Sequence, residues 1–233
     1  MTREQLYNYL EHEEIECSDI QLDLLFKLMN STLEQNEKFN LTAITDRDQF
    51  VEKMIFDSAV VLHDLDLSRK SIIDIGTGAG FPGMVLRILA PKAEVTLLDS
   101  TKKKINYLLD FARQNDLNVI GVSKRAEDFA REHREQYDFA IARAVASLNI
   151  LLEIIMPLVK VGGTFIAMKG PEYVEEANAC KAAFKKLHCH IDHIYEIELP
   201  ESKQKRAILY IQKDQETNKK YPRQFNEIKK QPL

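Results

Sequence analysis

"DIGTGAGFPG", from Asp74 to Gly83, places four glycines in ten residues directly after the apolar pair Ile72-Ile73. Glycines cluster where a chain must turn with positive φ, or where something lies too close to the backbone for a side chain. The six residues Gly78 to Gly83 satisfy G-x-G-x-x-G, and Asp99 follows 21 residues after Gly78, as a dinucleotide fingerprint requires. The stretch is better described, however, as D-x-G-x-G-x-G, from Asp74 through Gly76 and Gly78 to Gly80. An acid at the strand end repels a pyrophosphate and attracts an ammonium or sulfonium. Pro82 and Gly83 open the following helix with its N–H groups removed or re-aimed, which weakens a phosphate cradle. A P-loop would need G-K-[ST], and none follows.

Outward from this loop the chain alternates between strand and helix. Strand candidates are 71–76, 94–100, 118–125, 137–144, 163–169, 193–199 and 206–213, with helical stretches PGMVLRILA, TKKKINYLLDFARQND, SLNILLEIIMPLV and PEYVEEANACKAAFKKL between them. Such alternation implies a parallel sheet covered on both faces. Only PESKQK separates the last two strands, too short for a crossover, so they pair antiparallel. The fold expected is α/β and Rossmann-like: a seven-stranded, mostly parallel sheet with an antiparallel last strand, as in class I S-adenosylmethionine-dependent methyltransferases. A sixth parallel strand, expected of a dinucleotide enzyme, is absent from this pattern.

Residues 1–67 read as an N-terminal helical cap, 68–213 as the main domain and 214–233 as a basic tail, loosely ordered or draped over the surface. In the cap, Ile20, Leu22, Leu24, Leu25, Leu28, Met29 and Leu33 recur at helical spacing. A second helix has Thr45 as its N-cap and a buried stripe of Phe50, Val51, Met54, Ile55, Val60, Val61 and Leu62. Packing against the main domain is the simplest role for both. The cap holds 5 Lys/Arg against 15 Asp/Glu and the remainder 27 against 21, so a polyanion would meet the body rather than the cap. No apolar run is long enough for a membrane span, and the acidic start lacks the apolar core of a secretory signal. Cys17, Cys180 and Cys189 form no C-x-x-C pair, as expected of a reduced, cytoplasmic protein. HCHIDH (188–193) is better explained by strand alternation than by metal binding, and no metal is expected.

A cationic ligand that carries a nucleoside fits the loop, and S-adenosylmethionine is the obvious candidate. Asp99 and Ser100 close the second strand, where a carboxylate can accept from both ribose hydroxyls; Asp74 would face the methionine ammonium through water. Ala126-Glu127 follow the third strand, at the adenine position of class I enzymes. Capping of the next helix is the alternative role for Asp99. The acceptor side offers Arg125, Arg143 and Lys169 after strands three, four and five, but neither the N/D-P-P-Y/F box of amino-methylating enzymes nor a cysteine nucleophile. Basic groups without a general base suit an acceptor with a free lone pair, such as guanine N7, whereas a ribose 2′-hydroxyl would need Lys169 to assist. A cofactor-sensing, RNA-binding module without turnover is the rival outside enzymes.

"NEKFNLTAI" (36–44), the glycine loop, "LLDSTKKKINYL" (97–108), "ARAVASL" (142–148), "MKG" (168–170) and the terminal "YPR…PL" occur in that order. Together they resemble the bacterial RsmG family, also called glucose-inhibited division protein B, over nearly the whole chain. The resemblance implies transfer of a methyl group from S-adenosylmethionine to a guanine N7 in the 530 loop of 16S ribosomal RNA, within a small subunit or assembly intermediate, and no DNA or membrane partner. It implies cofactor contacts from Gly76, Gly78, Phe81, Asp99, Ala126, Glu127 and Arg143, to which the glycine pattern adds Gly80, and RNA contacts from Arg125, Arg143, Lys169 and Arg223. The tail after YPR departs from the family pattern at "QFNEIKKQ".

Overall fold

The computed structural model describes residues 1–233. Two capping boxes, Thr2 with Gln5 and Ser18 with Gln21, start helices α1 (Arg3–His12) and α2 (Asp19–Asn36). Each satisfies two otherwise unpaired N–H groups at a helix start. The second expected helix is broken into α3 (Arg47–Phe50), a π-helical turn (Val51–Phe56), α4 (Asp57–Ala59) and a 3₁₀ turn (Val60–Asp64). Its N-cap is Asp46, which accepts from Gln49 N–H, and not Thr45. The expected stripe of this helix is buried except for Leu62, which is half-buried; in α2, Ile20 is 75% exposed.

Then follow β1 (Ser71–Ile75), α5 (Gly83–Leu89), β2 (Glu94–Asp99), α6 (Lys102–Gln114), β3 (Val119–Ser123), α7 (Ala126–Glu132), β4 (Tyr137–Arg143), α8 (Leu148–Ile155), β5 (Val159–Lys169), α9 (Tyr173–Ala179), α10 (Lys181–Leu187), β6 (Cys189–Glu198), β7 (Lys205–Lys213) and α11 (Phe225–Lys230). Helix α1 falls within the expected helical cap, whereas α7 and α11 are not among the helical stretches read from the sequence. The strands form one sheet in the order β3-β2-β1-β4-β5-β7-β6, with β5·β7 and β6·β7 antiparallel and all other pairs parallel. Ile72 to Ile75 are all buried, as expected of a central strand covered on both faces.

One face of the sheet carries α5, α6 and the N-terminal helices. Leu22, Leu25, Phe50 and Phe56 share a single apolar core with Met84, Leu86 and Leu108. The other face carries α7, α8 and α10, joined by Tyr221 and Ile228 of the tail. The tail is therefore not loosely draped. Arg131 donates to the carbonyls of Pro222 and Arg223, and Arg134 to those of Tyr221 and Thr217. No helix is long and apolar enough to cross a membrane.

Candidate active site

The glycine loop sits at the carboxyl end of β1, between two cavities. Gly76, Gly78 and Gly80 have φ of +69°, +57° and +95°, a region that disfavours any residue with a Cβ. Asp74 lies beneath the loop and lines neither cavity. Its Oδ2 accepts from Thr77 Oγ1–H (2.7 Å) and Gly83 N–H (2.8 Å), while its buried Oδ1 has no partner. Burial raises this carboxyl from 3.8 to about 6, against the lowering effect of its two hydrogen bonds. The first N–H of α5 is thus already engaged by the protein's own carboxylate, which does not favour a pyrophosphate at that helix start. The expectation that Asp74 faces a ligand is corrected: it shapes the loop from below. Gly80 is corrected too, because it lines neither cavity. A Cβ there would come within 2.8 Å of both Leu108 and Met84, so this glycine serves the packing of the loop on α5 and α6.

The smaller cavity, about 370 Å³, opens beside Asp99, Ser100, Ala126, Glu127, Ile150 and Ile154. Asp99 accepts from Gly78 N–H through Oδ2 (3.1 Å) and from Thr101 N–H through Oδ1 (2.8 Å), so it braces the loop and the turn that leads into α6. Each oxygen retains a further lone pair. Arg125 is exposed at the rim, whereas Lys124 is paired with Glu132.

The larger cavity, about 660 Å³, lies across the loop and shares Gly76, Ala144 and Ala146 with the smaller one. Val145 stands over Gly76, where a Cβ would meet its Cγ2 at 2.8 Å. Ala144 itself has φ +53°, a conformation that costs an L-residue about 1–2 kcal/mol and concentrates at functional sites. The flanks hold this segment in place. Arg143 Nη1 donates to the Lys53 carbonyl (2.8 Å), and Nη2 lies 3.1 Å from Met54 Sδ. On the far flank Lys169 Nζ donates to the Ala146 carbonyl (3.1 Å) and to Glu176 Oε2 (2.7 Å), which also accepts from Leu148 N–H (2.8 Å).

The N-terminal helices supply much of this cavity's wall: Leu41 to Ile44, Lys53, Met54 and Asp57. Asn36 Oδ1 fixes that wall by accepting from both Leu41 and Thr42 N–H. Phe81 packs edge-to-face on Phe50, with centroids 5.3 Å apart, and ties the loop to the cap. Sequence reasoning missed Asp57, Arg206 and Glu176. Asp57 carried a signal, a lone acid within the apolar run MIFDSAVVL.

Arg223 requires a further correction. Its backbone N–H, Nε and Nη2 all donate to Glu153 at 2.9, 2.8 and 2.7 Å, and Glu153 is 0% exposed. That guanidinium is committed to a carboxylate on α8. The two buried thiols, Cys180 and Cys189, are pushed up to about 11 and 12 by burial and line neither cavity.

The same sheet arrangement occurs in solved methyltransferases. The Burkholderia thailandensis 1,6-didemethyltoxoflavin-N1-methyltransferase, determined with its substrate and S-adenosylhomocysteine, matches with a TM-score of 0.58 at 14% identity, over 81% of this chain and 88% of that one. A SAM-dependent methyltransferase from Aquifex aeolicus matches with a TM-score of 0.53 at 16% identity, over 77% and 97%. At such identities the likeness establishes the fold. The sequence relatives are much nearer. Ribosomal RNA small subunit methyltransferase G of Clostridium botulinum (strain ATCC 19397 / Type A) is 41% identical over 228 residues, covering 93% of this chain and 95% of the relative. Its Bacillus cereus (strain B4264) counterpart is 42% identical over 238 residues, covering 100% and 99%. With residues 21–209 matching the model of the GidB family, described as rRNA small subunit methyltransferase G, the chain belongs to that family.

Proposed function

We propose that the protein transfers a methyl group from S-adenosylmethionine to N7 of a guanine in the 530 loop of 16S ribosomal RNA, within a cytoplasmic small subunit or assembly intermediate. Its family membership and its sheet, shared with S-adenosylmethionine enzymes, support the reading. The observation that carries it is the division of labour between two cavities that meet over Gly76: a carboxylate with spare lone pairs lines one, and only ion-paired carboxylates line the other.

The residues present fit the donor. Asp99 offers both oxygens to vicinal ribose hydroxyls, Ala126 and Glu127 border the adenine, and Ile150 with Ile154 supply an apolar floor. Gly76, Gly78 and Phe81 admit the methionine arm to the larger cavity. When bound, S-adenosylmethionine supplies an electrophilic methyl group. On the acceptor side, Asp57 is paired with Arg143 and Arg206, and Glu176 with Lys169. None of these groups is free to remove a proton, and guanine N7 has none to lose. The protein's task reduces to orientation and exclusion of water, which the cap residues Leu41, Ile44 and Met54 serve. Arg143 and Lys169 fix the strained segment through their carbonyl bonds and present positive charge to RNA. Arg125, exposed at the rim, meets a phosphate.

Labelled methyl transfer to small subunits from a strain lacking this protein, followed by borohydride–aniline cleavage, tests the reading. A single new cleavage that disappears with Asp99→Ala is expected. Label without cleavage would move the acceptor to another atom, a ribose oxygen first. Cofactor binding without any incorporation would favour a sensing module.

A further inference from the structure

Asp57 is a carboxylate in an unusual position. It lies at the start of α4, its side chain 5% exposed, in the wall of the larger cavity. Two guanidinium groups face it, yet neither makes a close bond. Arg143 Nη1 is 3.4 Å from Oδ2 and directs its shorter bond to the Lys53 carbonyl; Arg206 Nε is 3.4 Å from Oδ1, without hydrogen-bond geometry. Oδ1 is therefore buried and accepts no hydrogen bond, with Arg206 facing it only at ion-pair distance; burial raises the carboxyl and the two arginines oppose that rise. A buried anion that accepts no close bond is costly in the free protein. A ligand that brings N–H donors to it recovers that cost, which is the condition for strong discrimination.

We propose that Asp57 reads the target base, accepting from N1–H and the 2-amino group on the Watson–Crick edge of guanine. Among the four bases only guanine presents two adjacent donors there, and a carboxylate is their complement. With that edge on Asp57, N7 lies on the adjacent Hoogsteen edge of the purine and is left free. Arg206 covers Oδ1 in the free protein. Its other bonds go only to the Lys205 carbonyl and to Gln204 Oε1, on the exposed residues just before it in the chain. Arrival of an RNA phosphate draws Arg206 outward and opens Oδ1 to the base. Arg143, held by two atoms of the cap, stays and opposes the rise that burial imposes on the Asp57 carboxyl.

This assignment rests on guanine N7 as the acceptor. It is tested with small subunits reconstituted from ribosomal RNA carrying either guanosine or inosine at the methylated position. Inosine lacks only the 2-amino group. The wild-type protein is expected to favour guanosine by about 10–100-fold in kcat/KM, the value of one charge-assisted hydrogen bond. Asp57→Asn is expected to bring that ratio within about 3-fold of unity while binding S-adenosylmethionine as the wild type does. A merely structural role for Asp57 would lower both rates and leave the ratio intact. Equal wild-type rates on guanosine and inosine overturn the assignment without any variant, as does an Asp57→Asn protein that keeps the full preference. If wild type methylates neither substrate, the guanine-N7 reading itself fails and this assignment falls with it.

Discussion

Replacing Arg223 with alanine removes two of the three bonds that neutralise Glu153, those from Nε and Nη2, and leaves the one from the backbone N–H. Glu153 is wholly buried on α8, among Leu151, Leu152, Ile154 and Ile155. Breaking a buried pair by removing one partner costs about 3–5 kcal/mol, because the remaining charge is uncompensated. The surviving backbone bond and the 25% exposure of the Arg223 side chain place this case at the lower end, about 3 kcal/mol. For a chain of this length that lowers Tm by roughly 6–12 °C. Adding Glu153→Gln to Arg223→Ala removes the stranded charge, so the double variant should melt above the single one. Thermal unfolding of the variants, with methyl transfer measured at 20 °C per folded molecule, decides the matter. Transfer should stay within about 3-fold of wild type, since the loss is one of stability and not of a transition-state contact. A Tm within about 2 °C of wild type, combined with a tenfold loss of transfer, would refute the clamp and return Arg223 to the RNA.

The remaining predictions concern the loop and the cavities. Asp99→Ala should weaken S-adenosylmethionine binding at least about 30-fold by calorimetry, because charge-assisted bonds to the ribose are worth about 1.5–3 kcal/mol each; an unchanged Kd would remove Asp99 from the site. Burial holds the Asp74 carboxyl at about 6 in the folded protein against 3.8 unfolded, so its contribution to stability is full below pH 3.8 and is lost as pH rises through 6. Asp74→Asn should therefore gain up to about 2 kcal/mol in urea denaturation at pH 8 and nothing at pH 4, and equal stability at pH 8 would contradict the buried charge. Gly80→Ala should cost about 2–4 kcal/mol, since the new Cβ meets Leu108 and Met84 within 2.8 Å at φ +95°; a stability loss below about 1 kcal/mol would show that the loop yields. Lys169→Met should lower kcat/KM for subunits about tenfold or more, with cofactor Kd unchanged, and a raised Kd would place Lys169 on the donor side instead.

The sheet and the loop were legible because their causes are local. Buried parallel strands must be apolar on both faces, so Ile72-Ile73 and their counterparts appear as continuous runs, and a turn at φ +57° or +69° favours glycine at that position. Asp99 was legible for the same reason, as an acid at a strand end a fixed distance from the loop. What escaped was set by partners far along the chain. Nothing near Arg143 announces Lys53 and Met54, about 90 residues earlier, and nothing in YPR announces Glu153, 70 residues before it. The irregular stretch from Arg47 to Asp64 follows from the same cause. Its π-helical turn brings the Lys53 carbonyl to Arg143, and Asp57 follows directly in the cavity wall.

Charge was the least legible quantity of all. A count of 27 cations against 21 anions says only that a polyanion meets the body rather than the cap. Yet Arg131 and Arg134 bind tail carbonyls, Arg223 binds Glu153, and the wholly buried Lys213 binds Glu135 and two carbonyls. These cations hold the fold and cannot also grip a phosphate. Among the cations that line the two cavities, Arg125 alone is exposed. So sparse a set releases few counterions, and affinity for naked RNA should be weak with a shallow salt dependence. Specificity must then come from the shape of the ribosomal particle that delivers the base, and from what the wall of the larger cavity asks of that base once it arrives.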